Sequence, residues 1–297
     1  MNQLSTILSI AASDPTGGAG IQADIKAAAN VGIHCLTALT AVTSQNSSGI
    51  SNIYLLPKGA ILSQVKDILK DVIPDAVKIG MIGSVDNGDE IREILTLFPV
   101  HTPIIVDPVL SATAGGWVEN PDYRLELIKF YKSLFSDRRI IPTPNELEAS
   151  WILDKNFSII SEYSDALIEE FNLKAAIVTG GKKTEKNRGF NINDTLIVDS
   201  MSFINSDNSL KNLIVESPFR DTVNLHGTGC TFSSLLASFL ALGENIEDAF
   251  LHTKKILSDI IEKSNSYRLG VSTYGPLNIT DYNLRTYIKS ISNKILF

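Results

Sequence analysis

The stretch NLHGTGCTFSSLLASFLALG, from Asn224 to Gly243, places glycines, a threonine and a cysteine directly before an apolar run. The apolar residues recur at helical spacing and Gly243 is a typical helix stop, so the pattern predicts a buried helix over Thr231–Leu242. The first N–H groups of a helix have no intrahelical partner, and glycine lets a ligand come close to them. The stretch therefore predicts either an anion site or a plain glycine turn with a small buried thiol at Cys230.

The composition excludes several classes of protein. The chain has 297 residues and 44% hydrophobic content, which allows a large core, and its net charge of −7 comes without a basic block. Nucleic acid is therefore not the expected partner. The two cysteines indicate a reducing compartment, and the four scattered histidines form no metal-ligand spacing. No signal peptide or membrane span is recognisable, so we expect a cytoplasmic protein without a membrane partner.

Apolar strand candidates alternate with helical patterns along the chain. The strand candidates are TILSIAAS, IHCLTALTAV, AVKIGMIG, TPIIVDPVL, RRIIPTPN and KAAIVTGG. The helical patterns are IQADIKAAANVG and the regions near Lys58–Val72, Asn87–Leu97, Pro121–Phe135 and Ser164–Phe171. This alternation predicts a mostly parallel sheet with helices on both faces. The polar region Asp194–Val215 predicts hairpins or edge strands, and without a linker or repeat a single domain is the simplest prediction.

Glycine-rich or polar segments follow most of the strand candidates. These segments are DPTGGAG, SQNSSG, GMIG, DPVLSATAGG, PTPNELE and VTGGKK. In open α/β sheets ligands bind beyond the carboxyl ends of the strands, so these segments predict one site at that edge. Neither a Walker A sequence nor a complete G-x-G-x-x-G fingerprint is present, which disfavours a P-loop NTPase and a Rossmann dehydrogenase.

From about Leu8 to Leu242 the chain resembles the hydroxymethylpyrimidine/phosphomethylpyrimidine kinases, the thiamine-biosynthesis branch of the ribokinase-like superfamily. The motifs that carry this resemblance are SIAASDPTGGAGIQADIKA, TALTAVTSQNSSGI, VKIGMIGS, IIVDPVLSATAGG, PTPNELEA, HGTGCTFSSLLA and, in the tail, YGPLNI. It implies one kinase domain over residues 1–297, with a three-layer α/β/α fold and a central, mostly parallel sheet. It also implies ATP- and magnesium-dependent phosphorylation of 4-amino-5-hydroxymethyl-2-methylpyrimidine and of its monophosphate. A homodimer is the implied assembly.

The resemblance places phosphoryl transfer at the turn before the predicted helix. The residues implied are Gly227, Thr228, Gly229 and Cys230. The backbone N–H groups of this turn would face the charge that develops on the transferred phosphoryl group. Cys230 would accept the proton of the substrate hydroxyl, and we expect the helix N-terminus to lower its pKa. Cys35, in an apolar strand candidate, is expected to be buried and unreactive.

Four residues resemble the pyrimidine site of the family. Gln45 would read the polar edge of the ring, because its amide offers both a donor and an acceptor. Met81 and Val109 would form apolar walls against the ring faces, and Ala19 would bring its backbone close to the substrate. Each also has a plainer reading, since Gln45 suits an exposed turn and the two apolar residues suit the core.

The nucleotide side of the site is implied by three strand ends. Asp107, Asn145 and Glu146 resemble the polar set that organises magnesium and phosphates, with Glu146 acting on the metal through water. Glu146 equally suits the first turn of a helix. The phosphates would pass the strand end formed by Thr179, Gly180 and Gly181.

The sequence also departs from the family pattern. Many relatives carry a lysine where Thr179 stands and another where Thr113 stands, so cationic help for the ATP phosphates is missing. The segment from Lys183 to Asp221 is longer and more polar than expected, and no residue is assigned to the adenine pocket. Two alternatives therefore stay open: a pyridoxal kinase with the same GTGC loop, and a pyrimidine-binding sensor that has lost activity.

Overall fold

The computed structural model describes residues 4–46, 48–110, 120–184, 195–267, 269 and 275–281. The strands are β1 (Thr6–Ser13), β2 (His34–Asn46), β3 (Gly49–Leu55), β4 (Ala76–Ile79), β5 (Ile104–Val106), β6 (Ile140–Pro142), β7 (Ala175–Thr184), β8 (Thr195–Ile204) and β9 (Leu210–Pro218). The helices are α1 (Gly20–Asn30), α2 (Ala60–Leu69), α3 (Gly88–Thr96), α4 (Pro121–Leu134), α5 (Glu146–Leu153), α6 (Ile160–Phe171), α7 (Thr228–Ala241) and α8 (Ile246–Ser264), with short 3-10 turns at Val85–Asn87 and Ile279–Asp281.

A six-stranded sheet in the order β3-β2-β1-β4-β5-β6 forms the centre of the fold. Its strands pair in parallel except β3, which runs antiparallel to β2 at the edge. A second, antiparallel sheet, β7-β8-β9, continues beyond β6 through a parallel bridge between Asn145 and Thr179. The predicted mostly parallel sheet is confirmed.

Helices cover both faces of this sheet because the buried strands present apolar side chains to both sides. On one face, Leu8 and Ile10 of β1 belong to a core cluster with side chains of α2 through α6. On the other face, Ile7 belongs to a cluster with side chains of α1, α7 and α8. The three-layer α/β/α architecture follows directly from this alternation.

The structure extends or corrects several sequence-based element boundaries. β2 runs on to Asn46 and forms a hairpin with β3, where the sequence predicted only a loop; α5 and α8 were not predicted either. The hairpin predicted over Asp194–Val215 corresponds to β8 and β9. α7 begins at Thr228, three residues before the predicted start, so Cys230 lies within its first turn.

In the part of the chain that the structure describes, we find no helix with the length and apolar character needed to cross a membrane.

A fully buried ion pair ties two helices to the sheet. The Lys78 ammonium on β4 lies 2.9 Å from both carboxylate oxygens of Asp24 on α1. The same carboxylate accepts hydrogen bonds from Ser9 on β1 and from Ser234 on α7, the latter at 2.7 Å. Burial is the largest single effect and disfavours the charged lysine, but the acidic groups around it, Asp24 first among them, together outweigh burial and raise the pKa of Lys78 above its ordinary value. α1 and α7 are thus held against each other through one carboxylate.

We expect Lys78→Met to lower the free energy of unfolding by about 3–5 kcal/mol, because it leaves the Asp24 carboxylate buried without a counter-charge. Lys66→Met is the matched control, since Lys66 pairs with Glu93 at 3.1 Å while half exposed, and such surface pairs contribute about 0–1 kcal/mol. Urea unfolding of both variants measures the difference. Equal losses in the two variants would contradict the account.

Candidate active site

One cavity of about 510 Å³ opens at the carboxyl ends of the parallel strands. Most of the site residues predicted from the sequence line it: Ala19, Gln45, Met81, Asp107, Val109, Asn145, Thr179, Gly180, Gly227, Thr228, Gly229 and Cys230. Gly181 lies on β7 opposite Val198 and is not among the lining residues, and neither is Glu146. The structure thus brings residues from seven segments of the chain to one place.

Two helix N-termini meet at the middle of the cavity. α1 begins at Gly20 and α7 begins at Thr228, with Gly227 as its N-cap in the left-handed conformation (φ 88°). A Cβ on Gly227 would lie 1.7 Å from the carbonyl oxygen of Gly18, so only glycine fits where the two loops touch. Cys230 lies in the first turn of α7, and it lines the cavity together with Gly20 at the start of α1.

The start of α7 offers free backbone donors to this space. The Thr228 N–H donates to Leu225 O at 3.2 Å, and the Thr231 N–H donates to Gly227 O at 2.8 Å. Helix geometry provides no intrahelical acceptor for the N–H groups of Gly229 and Cys230, and no side chain caps this helix. These donors and the positive end of the helix dipole are the features on which the prediction of an anion site rests.

The predicted lowering of the Cys230 pKa is wrong. Burial raises the pKa of this thiol to about 12; the Lys78 charge and the Gly20 N–H favour the thiolate, but the nearby carboxylates of Asp107 and Asp24 oppose it. The thiol is therefore neutral at pH 7. Burial raises the pKa of the half-buried Cys35 to about 12 as well, which agrees with the expectation of an unreactive thiol.

Asp107, one residue past β5, contributes a buried carboxylate beside the start of α7. Its Oδ2 atom would lie 3.4 Å from a Cβ on Gly229, and Ser233 Oγ donates to it at 3.5 Å. Burial raises the pKa of Asp107 to about 6, against the favourable charge of Lys78. Among the described residues, the Asp107 carboxylate thus receives only a long hydrogen bond from Ser233. A buried carboxylate with so weak a partner is suited to bind a cation that enters the site together with a ligand.

The two glutamates of the PTPNELE motif, Glu146 and Glu148, take different places at the start of α5. Asn145 caps this helix by accepting the Glu148 N–H at 2.9 Å, and Glu148 accepts the Asn145 N–H at 3.0 Å. Glu148 also accepts the Leu110 N–H at 3.1 Å and lines the cavity, whereas the half-exposed Glu146 does not. Among the described residues no group of three or more His, Cys, Asp or Glu side chains is arranged to hold a metal ion. A magnesium ion would therefore depend mainly on phosphate oxygens and water.

One end of the cavity is organised by Asp14, which the sequence analysis did not assign. This carboxylate is 2% exposed and accepts hydrogen bonds from the Ala19 N–H at 2.8 Å and from the Thr16 N–H at 2.8 Å. It also bonds the His226 side chain at 3.0 Å. Burial alone would raise the pKa of Asp14, but hydrogen bonds from its neighbours hold it well below its usual range. The Ala19 backbone and the His226 ring are thus held by the same group.

The other end of the cavity lies between β8, β9 and α8, where the sequence analysis assigned no residue. Its lining includes Ile197, Asp199, Ser217, Pro218, Phe219, Arg220, Lys254, Leu257, Ser258 and Ile261. Asp199 accepts the Gly180 N–H at 2.7 Å and pairs with the Lys254 ammonium. Burial lowers the pKa of Lys254 to about 8. A buried lysine thus lies at the cavity end where the expected lysine at Thr179 is missing.

The chain matches the family model for phosphomethylpyrimidine kinase over residues 14–278. It is 31% identical over 274 residues to the hydroxymethylpyrimidine/phosphomethylpyrimidine kinase of Bacillus subtilis, covering 91% of this chain and 93% of the relative. A probable thiamine biosynthetic bifunctional enzyme of Oryza sativa is 33% identical over 275 residues, with 92% of this chain and 47% of the relative covered. The chain therefore spans about half the length of the plant relatives that it matches.

Solved structures show the same fold. A phosphomethylpyrimidine kinase from Clostridium difficile superposes with a TM-score of 0.67 and 29% identity, over 86% of this chain and 99% of that one. The pyridoxal kinase from Staphylococcus aureus in complex with AMP-PCP and pyridoxal superposes with a TM-score of 0.73 and 24% identity, over 95% of this chain and 96% of that one. With the ribokinase-like fold and the family match in agreement, the chain belongs to the phosphomethylpyrimidine kinase family.

Proposed function

We propose that the chain is an ATP-dependent kinase of 4-amino-5-hydroxymethyl-2-methylpyrimidine and of its monophosphate, and that it serves thiamine biosynthesis. The observation that carries this proposal is the junction of α1 and α7, where free amides stand between the two ends of one cavity. A single domain, a cytoplasmic location and a homodimer remain predictions of the sequence.

In this proposal the pyrimidine occupies the end of the cavity next to Asp14. Gln45 lines this end beside Asp14, and its amide offers both a donor and an acceptor to a ligand. An aminopyrimidine edge offers the complementary donor and acceptor. Met81 and Val109 supply apolar contacts to the ring faces, and the Ala19 backbone approaches the substrate from the first glycine loop.

The nucleotide takes the remaining length of the cavity. Its phosphates pass Thr179, Gly180 and Gly181, and its base lies between α8 and the second sheet. The nucleotide is placed at this end because the lining there includes the apolar side chains of Ile197, Leu257 and Ile261 and the ammonium of Lys254. Asp107 and Asn145, which line the cavity, are the proposed residues for magnesium, and Glu146, which lies outside the lining, would reach the metal only through water. Magnesium, when bound, would neutralise charge on the transferred phosphoryl group.

Phosphoryl transfer asks the protein mainly for alignment and for stabilisation of charge. Gly227 sets the turn, and the backbone N–H groups of Gly229 and Cys230 face the phosphoryl oxygens, whereas the Thr228 N–H is already bonded to Leu225 O. The proton of the hydroxymethyl group passes to Cys230 in the proposed mechanism. Because the thiol is neutral in the free protein, it must lose its own proton before it can accept another. Cys230 can therefore act as the base only in the thiolate form, which is a minor protonation state of this residue.

A pyridoxal kinase is the second candidate function, since several structures with this fold are pyridoxal kinases. An inactive pyrimidine-binding sensor is the third candidate function. A kinase assay that compares the substrates distinguishes both alternatives from the main proposal.

We expect the specificity constant with ATP and magnesium to be at least about tenfold higher for hydroxymethylpyrimidine than for pyridoxal, because the Gln45 amide pairs with the aminopyrimidine edge. Measured kcat/KM values for hydroxymethylpyrimidine, its monophosphate and pyridoxal decide the matter. A preference for pyridoxal would favour the second function, and pyrimidine binding without turnover of any substrate would favour the sensor.

Cys230→Ala should lower kcat by about a hundredfold to ten-thousandfold while substrate binding stays nearly intact, because a general base acts only in the transition state. Cys35→Ala is the control, since Cys35 lies on β2 and does not line the cavity. Steady-state kinetics and calorimetric titration of the pyrimidine separate the two effects. A near wild-type kcat for Cys230→Ala would show that Cys230 is not the base and only packs behind the turn. Asp107 would then be the next candidate base to test.

A further inference from the structure

His226, the residue directly before the Gly227–Cys230 turn, carries no role in the proposed function. Its ring Nε2 lies 3.0 Å from Asp14 Oδ2, and the side chains of the two residues are 18% and 3% exposed. A carboxylate only accepts hydrogen bonds, so Nε2 carries the hydrogen in this pair. The bond joins the first glycine loop (14–19) to the second glycine loop (224–227).

The Asp14 end of this bond leads to the proposed pyrimidine site. The oxygen that accepts from His226 also accepts from the Ala19 N–H. The position of the His226 ring is therefore linked through one buried carboxylate to the Ala19 backbone, which is proposed to contact the substrate.

The backbone of His226 is held from the opposite side by the segment 275–277. The His226 N–H donates to Gly275 O at 3.2 Å, and the Leu277 N–H donates to His226 O at 3.2 Å. A Cβ on Gly18 would lie 2.6 Å from the His226 ring and 2.7 Å from Pro276 Cβ. Three segments far apart in sequence thus pack at His226 without room for one more methyl group.

Asn224 fixes the far end of the second glycine loop. Its Nδ2 donates to Ser264 O at 2.6 Å and to Tyr267 O at 2.8 Å, at the end of α8. The loop is therefore anchored at Asn224, clamped at the His226 backbone and bonded to the first glycine loop by the His226 ring. The YGPLNI segment thus has a structural role, because Gly275 and Leu277 hydrogen-bond the His226 backbone and Pro276 packs beside Gly18.

We propose that His226 is a positioning residue whose hydrogen bond to Asp14 sets the spacing between the substrate loop and the phosphoryl-transfer turn. The kinetic part of this proposal rests on the proposed function; the structural part does not. Transfer needs the hydroxyl and the phosphoryl group in line, and a misplacement of about 1 Å costs on the order of a hundredfold in rate. A loosened Asp14–His226 contact should therefore lower kcat more than it raises KM.

The test compares His226→Leu, His226→Gln and the control His252→Leu. Glutamine keeps a side-chain N–H that can reach Asp14, and leucine does not. His252 is the matched histidine, because its Nδ1 lies 2.9 Å from Glu244 Oε2 with side chains 21% and 24% exposed, and it does not line the cavity. Two readouts are taken on the full chain: amide hydrogen exchange of the segments 14–20 and 224–230, and kcat and KM for the pyrimidine and ATP.

We expect His226→Leu to raise exchange in both segments by about tenfold or more and to lower kcat by about tenfold to a hundredfold with smaller changes in KM. His226→Gln should recover most of both losses, and His252→Leu should match the wild type. Unchanged exchange in His226→Leu, or a glutamine variant no better than leucine, would overturn the proposal.

If the wild type fails to phosphorylate the pyrimidine while the exchange pattern holds, the positioning role stands and the proposed function falls. Asp14→Asn gives an independent test should His226→Leu not fold, because it removes acceptor capacity from the same junction. Exchange in both segments should then rise as well, and wild-type exchange in Asp14→Asn would count against the proposal.

Discussion

The buried pairing of Lys78 with Asp24 is the interaction on which the rest of the site depends. Asp24 lies one turn after the start of α1, and Ser234, which bonds the same carboxylate, lies one turn after Cys230 on α7. Because Lys78 belongs to the central sheet, the two helix starts are placed relative to each other and to the strand ends at once. The contact of Gly18 with Gly227 is possible only with this placement.

The same buried charges decide the electrostatics of the cavity. Two carboxylates, Asp24 and Asp107, face one ammonium, so the inner wall of the site has a surplus of negative charge unless Asp107 is protonated or meets a cation. This surplus and burial keep the Cys230 thiol neutral despite its place at a helix N-terminus. In the proposed function, an anionic ligand meets backbone donors and, at the far end, the Lys254 ammonium that pairs with Asp199. Such an arrangement would let a chain with a net charge of −7 bind a polyphosphate without a basic surface.

Much of the fold was predictable from the sequence because buried parallel strands and amphipathic helices leave strong local patterns. The sequence motifs also located lining residues of the cavity, including Gln45, Asp107 and Gly229, although none at the end between β8, β9 and α8. The hairpin of β2 and β3 was missed because its polar SQN segment does not resemble a strand.

What could not be predicted depends on contacts between distant segments. The pKa of Cys230 is set first by burial and then by the charges of Lys78, Asp107 and Asp24, whereas the local sequence shows only the helix start. The place of Glu148 inside the cavity, and of Glu146 outside it, follows from the capping geometry of α5. The junction at His226 likewise exists only after the tail has folded back onto the second glycine loop.

A crystal structure of the chain with hydroxymethylpyrimidine and a non-hydrolysable ATP analogue tests the central claim most directly, namely that the two helix starts form the transfer site. We expect terminal phosphoryl oxygens within about 3 Å of the Gly229 and Cys230 nitrogens, with the amino edge of the pyrimidine on Gln45. A terminal phosphoryl group bound away from the start of α7, or a pyrimidine at the Lys254 end of the cavity, would contradict the account.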